Sequence, residues 1–362
     1  MHLSRLELFD VRNLESTRLE LPGGMLLITG DNGSGKTSLL EAVWLLGTGR
    51  SFRSNRMTPV IRYGAASLTV YGEVVREDGR RISLGIQRER SGGSRIKVGG
   101  EPAQAASSLA AELPVQLMNP DSVEIVTGPP GRRRRFLDWG TFHVEPSYLE
   151  HWKAFRRNLE QRNALLRGRR VSSAEFELWE SHLAEAARAV DRARRSSAEA
   201  LAPRFETVLG ALGGPQGISL HYAAGWDATL SLEDQLAQSR NADRDAGFTR
   251  LGPQRADLRI LARERRASEI ISRGQQKLVA CALLVAQCHQ LEAVTDKRGL
   301  YLVDDLPAEL DAEHRYRLGR ALAGMKGQVM VTAVQRDLVL DGLAEAEELT
   351  MFHVEHGRVT LQ

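Results

Sequence analysis

Eight consecutive residues carry the clearest chemistry in the chain. Gly30-Asp31-Asn32-Gly33-Ser34-Gly35-Lys36-Thr37 fits the pattern G-x-x-x-x-G-K-[ST]. The glycines let backbone N–H groups curl around an anion, and the helix start that follows adds partial positive charge. Lys36 then reaches the β- and γ-phosphates of a nucleoside triphosphate, and the Thr37 hydroxyl takes a place on Mg²⁺. The expected binding set is Gly30, Asp31, Asn32, Gly33, Ser34, Gly35, Lys36, Thr37 and Ser38, with ATP and Mg²⁺ as cofactors. A chance glycine-rich turn would lack the apolar strand that precedes this loop and the amphipathic helix that follows it.

Tyr301-Leu302-Val303-Asp304-Asp305 supplies the second half of such a site. A buried strand delivers Asp304 to its C-terminal end, where it holds Mg²⁺ directly or through water. Asp305, one residue on, is placed to polarise an attacking water. Two exposed carboxylates at a strand end are the plainer alternative, and the phosphate loop upstream tips the balance. Ser272-Arg273-Gly274-Gln275 opens a long apolar helix. Ser272 is a good N-cap, and the free amides of that first turn form another anion site. A plain structural cap is the alternative, and it is the order of motifs along the chain that brings Ser272, Gly274 and Gln275 into the candidate nucleotide contacts.

The order along the chain is phosphate loop, helical insertion, Ser-x-Gly-Gln at a helix start, apolar strand, Asp-Asp, then Glu309-Leu310-Asp311. That order resembles the ABC-type ATPases of DNA maintenance, the class that contains the SMC proteins. In that class the Ser-Gly-Gln helix is the signature motif, and residues 309–311 stand where the D-loop does. Three blocks narrow the resemblance to the RecF family of recombinational repair proteins. They are the stretch from Gly35-Lys36-Thr37-Ser38-Leu39-Leu40-Glu41-Ala42 into Gly49-Arg50-Ser51-Phe52-Arg53, then Gly128-Pro129-Pro130-Gly131-Arg132-Arg133-Arg134-Arg135-Phe136-Leu137-Asp138, and Gly252-Pro253-Gln254-Arg255-Ala256-Asp257-Leu258.

The resemblance implies an ABC-type head with a mixed sheet and a second, mainly helical lobe. It also implies ATP-dependent homodimerisation, binding to duplex, gapped and single-strand–duplex DNA, and a weak, DNA-stimulated ATPase acting as a switch. Partnership with RecO and RecR in loading RecA, and a role in SOS induction, follow from it. Lys36, Thr37 and Asp304 match the family's nucleotide and metal positions. Gln116, in Val115-Gln116-Leu117-Met118, is the Q-loop candidate with catalytic and metal roles. Arg12 and Asn13 sit where such heads approach the nucleotide, and Ser272 joins Asp305 and Gln116 in the catalytic set. Transporter ATPases usually carry Glu at the position of Asp305 and a switch histidine where this chain has Gln335. A transporter subunit and a metabolic P-loop NTPase are the competing readings; DNA-stimulated turnover separates them from the first. His353-Val354-Glu355-His356 invites a metal reading, but the spacing fits a strand with its histidines on opposite faces.

The basic residues cluster. Of 49 Lys and Arg, six are Lys, and arginine suits bidentate phosphate contacts. Eleven positive and four acidic residues lie between Arg132 and Arg170. Such a field favours a polyanion without reading sequence. Arg132, Arg133, Arg156, Arg157, Arg162, Arg169 and Arg170 are the candidate DNA contacts, against the plainer reading of a solvated or internally paired helix face.

These residues need elements to position them. The 362-residue chain is 42% hydrophobic and 26% charged, with a net charge of +3 and a pI near 9.0. That excludes wholesale disorder and allows about two domains. Pattern divides the chain into an ATPase head from 1–126 and 249–362 and a helical lobe at 127–248. In the head, strands are expected at 3–9, 19–21, 25–29, 67–75, 81–87, 96–98, 300–303 and 329–334. Helices are expected at 37–46, 275–294 and 312–323. In the lobe, helices at 149–166 and 174–201 are punctuated by residues 168–170 and by Pro203. This insertion is far shorter than a coiled-coil arm. Cys281 and Cys288, seven apart in one apolar helix, read as core thiols. No apolar run approaches the ~20 residues a bilayer demands, and the expected compartment is the cytoplasm.

Overall fold

Leu3, Leu6 and Leu8 in the strand His2–Val11 are all fully buried, although Leu3 and Leu6 break the period of two. A register shift between Leu3 and Arg5 against the strand Ser67–Val75 accounts for this. The extra residue turns both leucines to one face. The computed structural model describes residues 1–168, 172–295, 297–305, 310–336 and 341–362. The assignments made above for Arg169, Arg170 and Glu309 lie outside the described residues.

The chain divides into two units: residues 1–122, 208–214 and 277–362, and residues 123–207 and 215–276. The first contains two six-stranded sheets. One is antiparallel, in the order Leu14–Glu20, His2–Val11, Ser67–Val75, Arg81–Glu89, Ser94–Val98 and Glu101–Pro102. The other is mixed, in the order Arg358–Leu361, Leu349–Glu355, Met25–Thr29, Gln328–Ala333, Leu300–Val303 and Val115–Met118. All its pairings are parallel except that of Arg358–Leu361. Met25–Thr29, Leu300–Val303 and Gln328–Ala333 are buried at every residue, as parallel strands covered on both faces must be. The helix Lys36–Thr48 shares one apolar core with both sheets, through Leu39, Leu40, Val43 and Leu46.

The order of the mixed sheet fixes the site. Met25–Thr29 and Leu300–Val303 are not neighbours; Gln328–Ala333 lies between them. The phosphate loop and Asp304 therefore emerge two strand spacings apart, about 10 Å, with the middle strand reaching both.

The second unit packs the helices Pro130–Val144, Tyr148–Arg167, Leu232–Ala246 and most of Ser173–Ala211. Tyr148, Phe155, Leu159, Leu183, Val190 and Leu236 form its core. Two features depart from the pattern reading. The helix Ser173–Ala211 runs straight through Pro203. The lost backbone bond is offset by burying Leu201 and Phe205 on either side of it. This unit also holds an antiparallel sheet of Ile218–Ala223, Asp257–Ala262 and Arg265–Arg266, which helical periodicity did not signal.

The helix Arg273–Val294 starts in the second unit and continues into the first. Among the described residues it alone is long and apolar enough to cross a membrane, contrary to the sequence reading, but 72% of its most apolar window is buried within the fold. It is a core helix and carries both cysteines, buried.

Candidate nucleotide site

The loop between the strand Met25–Thr29 and the helix Lys36–Thr48 follows a path that only glycine takes easily. Gly30, Gly33 and Gly35 have φ of 146°, 80° and 126°. A Cβ at Gly30 would stand 2.2 Å from the Val354 carbonyl oxygen. The Lys36 ammonium curls over this loop, donating to the carbonyls of Gly30 (2.6 Å) and Asp31 (2.9 Å). Burial lowers its pKa, opposed by the charges of Asp305, Asp304 and Asp31.

Thr37 Oγ1 donates to Asp304 Oδ1 at 2.9 Å, so the structure brings together the two residues assigned to the metal. Thr332, on the intervening strand, donates to the same oxygen at 3.0 Å. Burial raises the Asp304 pKa; the Thr37 and Thr332 hydrogen bonds oppose this, the Asp305 charge adds to it, and Arg53 offsets it. Asp305 sits in the left-handed region, with φ of 52°. Its backbone N–H donates to Thr332 Oγ1 at 2.7 Å.

Loop, carboxylates and the first hairpin border one cleft of about 960 Å³. Asn13 clamps the loop: its Nδ2 donates to the carbonyls of Ser34 (3.1 Å) and Gly33 (3.3 Å), and its Oδ1 accepts from Ser38 Oγ (2.8 Å). Arg12, also lining the cleft, is held by Glu41 through Nε and Nη2, each at 2.8 Å. Glu41 is fully buried on the loop's own helix and also accepts from Ser51.

Gln116 does not join this group. The register Tyr301↔Gln116 places it three residues short of Asp304 along its strand, about 10 Å away. Its amide is buried and donates to Gln287 Oε1 at 2.7 Å. The Q-loop assignment is therefore corrected: the side chain is a core hydrogen-bonding partner. Ser272, Gly274 and Gln275 lie exposed at the start of their helix, in the second unit. Ser272 N–H donates to Gln275 Oε1 (3.0 Å), and Gln275 N–H to Ser272 Oγ (3.4 Å). This reciprocal pair is a capping box. His353 lies in the strand Leu349–Glu355, whereas His356 sits in a positive-φ turn beyond it.

The sequence matches the RecF/RecN/SMC N terminal domain family over residues 2–360. It is 46% identical over 360 residues to the DNA replication and repair protein RecF of Stutzerimonas stutzeri, covering 99% of this chain and 97% of that one. The protein of the same name from Pseudomonas aeruginosa PAO1 is also 46% identical, covering 99% and 98%. The chain belongs to the RecF family.

Solved structures agree. The recombination mediator protein RecF-ATPrS in the RecFOR pathway matches with a TM-score of 0.83 at 25% identity, covering 99% of this chain and 98% of that one. The Smc head domain from Pyrococcus furiosus matches with a TM-score of 0.61 at 18% identity, covering 100% and 96%, a likeness of fold. This RecF-family chain thus has the ABC-type head architecture.

Two of the blocks that carried the RecF resemblance meet inside the second unit. Arg133 bonds Asp257 through Nε (2.7 Å) and Nη2 (3.0 Å), and Arg134 donates to the Ala256 carbonyl (2.9 Å). Arg133 is mostly withdrawn from solvent, and Arg132 pairs with Glu124. Arg162 departs furthest from its assignment as a DNA contact. It is fully buried, bonded to Glu180 (3.0 Å) and Asp243 (2.8 Å). Its spacing on the helix Tyr148–Arg167 puts it on the core side, and buried acids neutralise it there. Arg156 and Arg157 are exposed on the same helix. Sequence reasoning missed Thr332, Arg53 and Arg56, all of which line the cleft. Arg53 lay within a quoted RecF block, but Thr332 gave no signal, because a threonine in a buried strand reads as core.

Proposed function

We propose that this RecF-family chain binds ATP and Mg²⁺ in the cleft and uses the nucleotide to control its pairing on DNA. The bond from Thr37 to Asp304 carries the reading, because it joins the two motifs in the arrangement a Mg²⁺-bound phosphate needs. The residues fit the nucleotide in other respects. Gly30 has no room for a side chain, and Ser34 Oγ is buried with no hydrogen-bond partner, as a group reserved for a ligand would be. A solved relative described as RecF-ATPrS supports the same nucleotide class.

In this reading Mg²⁺ neutralises phosphate charge. Gly33, Ser34 and Gly35 present backbone amides, Lys36 exchanges its loop carbonyls for phosphate oxygens, and Asn13 keeps the loop from opening. Thr37 and Asp304 hold the metal, and Asp305 orients water for slow, DNA-stimulated hydrolysis. Ser272, Gly274 and Gln275 of a second copy meet the γ-phosphate, giving a two-fold dimer with two shared nucleotides. The dimer acts at gapped and single-strand–duplex DNA in the cytoplasm, and with RecO and RecR it supports RecA loading and SOS induction. Sedimentation with and without ATP-Mg²⁺ and gapped duplex DNA tests this. A monomer or weak dimer should become a DNA-bound dimer only with ATP. Equal sedimentation with ATP, ADP and no nucleotide would refute nucleotide control.

A further inference from the structure

We propose that Thr332 is a positioning residue for the carboxylate pair, fixing Asp304 by donating to its side chain and Asp305 by accepting its backbone N–H. The proposal rests on the assignment of Asp304 and Asp305 to metal and water.

Thr332 is fully buried in Gln328–Ala333, the strand between those that deliver the phosphate loop and Asp304. Its hydroxyl has one hydrogen and two lone pairs, and both kinds of bond are used at once. It gives the hydrogen to Asp304 Oδ1 (3.0 Å) and takes one from Asp305 N–H (2.7 Å). Each bond answers a separate physical need. A half-buried carboxylate needs donors, and Asp304 Oδ1 takes them from Thr37 and Thr332. Thr37 is the donor assigned to the metal, so its bond to Asp304 is the exchangeable one. Thr332 is assigned to no ligand, and its bond keeps Oδ1 fixed when Thr37 turns away. For Asp305, a φ of 52° lies in the left-handed region, which a non-glycine residue holds only with local support. A short hydrogen bond to its own N–H holds the chain there, and the same peptide orients its side chain at the rim of the cleft.

The test compares Thr332→Val, which keeps the shape and removes the hydroxyl, with Thr332→Ser, which keeps the hydroxyl. Three readouts are needed: metal-free ATP binding, Mn²⁺ uptake in the presence of ATP by electron paramagnetic resonance, and DNA-stimulated turnover. T332V should bind metal-free ATP within about twofold of wild type, since no loop contact is lost. Its Mn²⁺ affinity and kcat should each fall roughly 10- to 100-fold, the effect of deleting a hydrogen bond to a charged group. T332S should recover both to within about threefold. Wild-type Mn²⁺ affinity in T332V would overturn the proposal, as would a T332S variant as impaired as T332V. A parallel loss of metal-free ATP binding and thermal stability would assign Thr332 to packing alone, which also overturns it. If wild type itself takes up no Mn²⁺ with ATP, the underlying metal assignment fails, and that outcome is distinct from the others.

Discussion

Burial raises the pKa of Asp304, so the folded state holds the charged carboxylate at a cost that the unfolded chain, titrating near pH ~3.9, does not bear. The penalty is full above the folded pKa, shrinks as pH falls through it, and is gone below the unfolded value. Asp304→Asn should therefore raise Tm at pH 7 relative to wild type, and the advantage should vanish as pH falls below about 4. Thermal melts across pH check this, while Mg²⁺-dependent turnover is lost. Arg162 presents the opposite case. Arg162→Ala takes one of two arginine partners from each of the buried acids Glu180 and Asp243, which keep Arg240 and Arg250, and should cost about 3 kcal/mol in denaturant unfolding, the low end for breaking a buried pair. At this scale, type and spacing made the phosphate loop, Asp304 and Asp305 readable, because short-range chemistry fixes them. The fates of Gln116 and Arg162 were not readable, since each depends on a partner far along the chain, Gln287 in one case and Asp243 in the other.

Elements were legible where one force dominated. The apolar run Met25–Thr29 and the helix Ala312–Ala323 fall where periodicity places them. Asp311 caps the latter by accepting from His314 N–H. Pro203 misled because its local cost was outweighed by burial, which a one-dimensional pattern does not weigh. The pairing of Ile218–Ala223 with Asp257–Ala262 was missed because its partners lie far apart in the chain, Ala223 pairing with Asp257 and Ile218 with Ala262. The helix Tyr148–Arg167 carries the DNA prediction at this scale. Its inner face holds Phe155, Leu159 and Arg162, while Arg156 and Arg157 face solvent. If the pair contacts phosphates, Arg156→Glu with Arg157→Glu should flatten the slope of log K against log salt by roughly 2. An unchanged slope in a filter-binding titration would remove this helix from the DNA surface.

The sequence carries one G-x-x-x-x-G-K-[ST] motif, whose residues fall in the first unit, and one Ser-x-Gly-Gln motif, whose residues fall in the second. Under the composite-site reading a complete site needs two copies. Ser272→Arg should leave ATP binding by the monomer within about twofold while abolishing the ATP-dependent dimer and turnover, because the bulky side chain stands at the shared phosphate. Sedimentation with ATP-Mg²⁺ decides it; a variant that still dimerises shows that the site is not shared.

The core helix that carries Cys281 and Cys288 has a practical corollary. Burial pushes the Cys281 thiol up to about 12 and raises Cys288 well above the ordinary range. Only thiolates react readily with alkylating reagents, so in the folded chain both sulfurs are nearly inert. Each becomes reactive when its part of the helix leaves the core. The protein thus carries its own chemical clock: alkylation at Cys281 and Cys288 times how often this helix opens, and the nucleotide's hold on the fold can be read from the label it excludes.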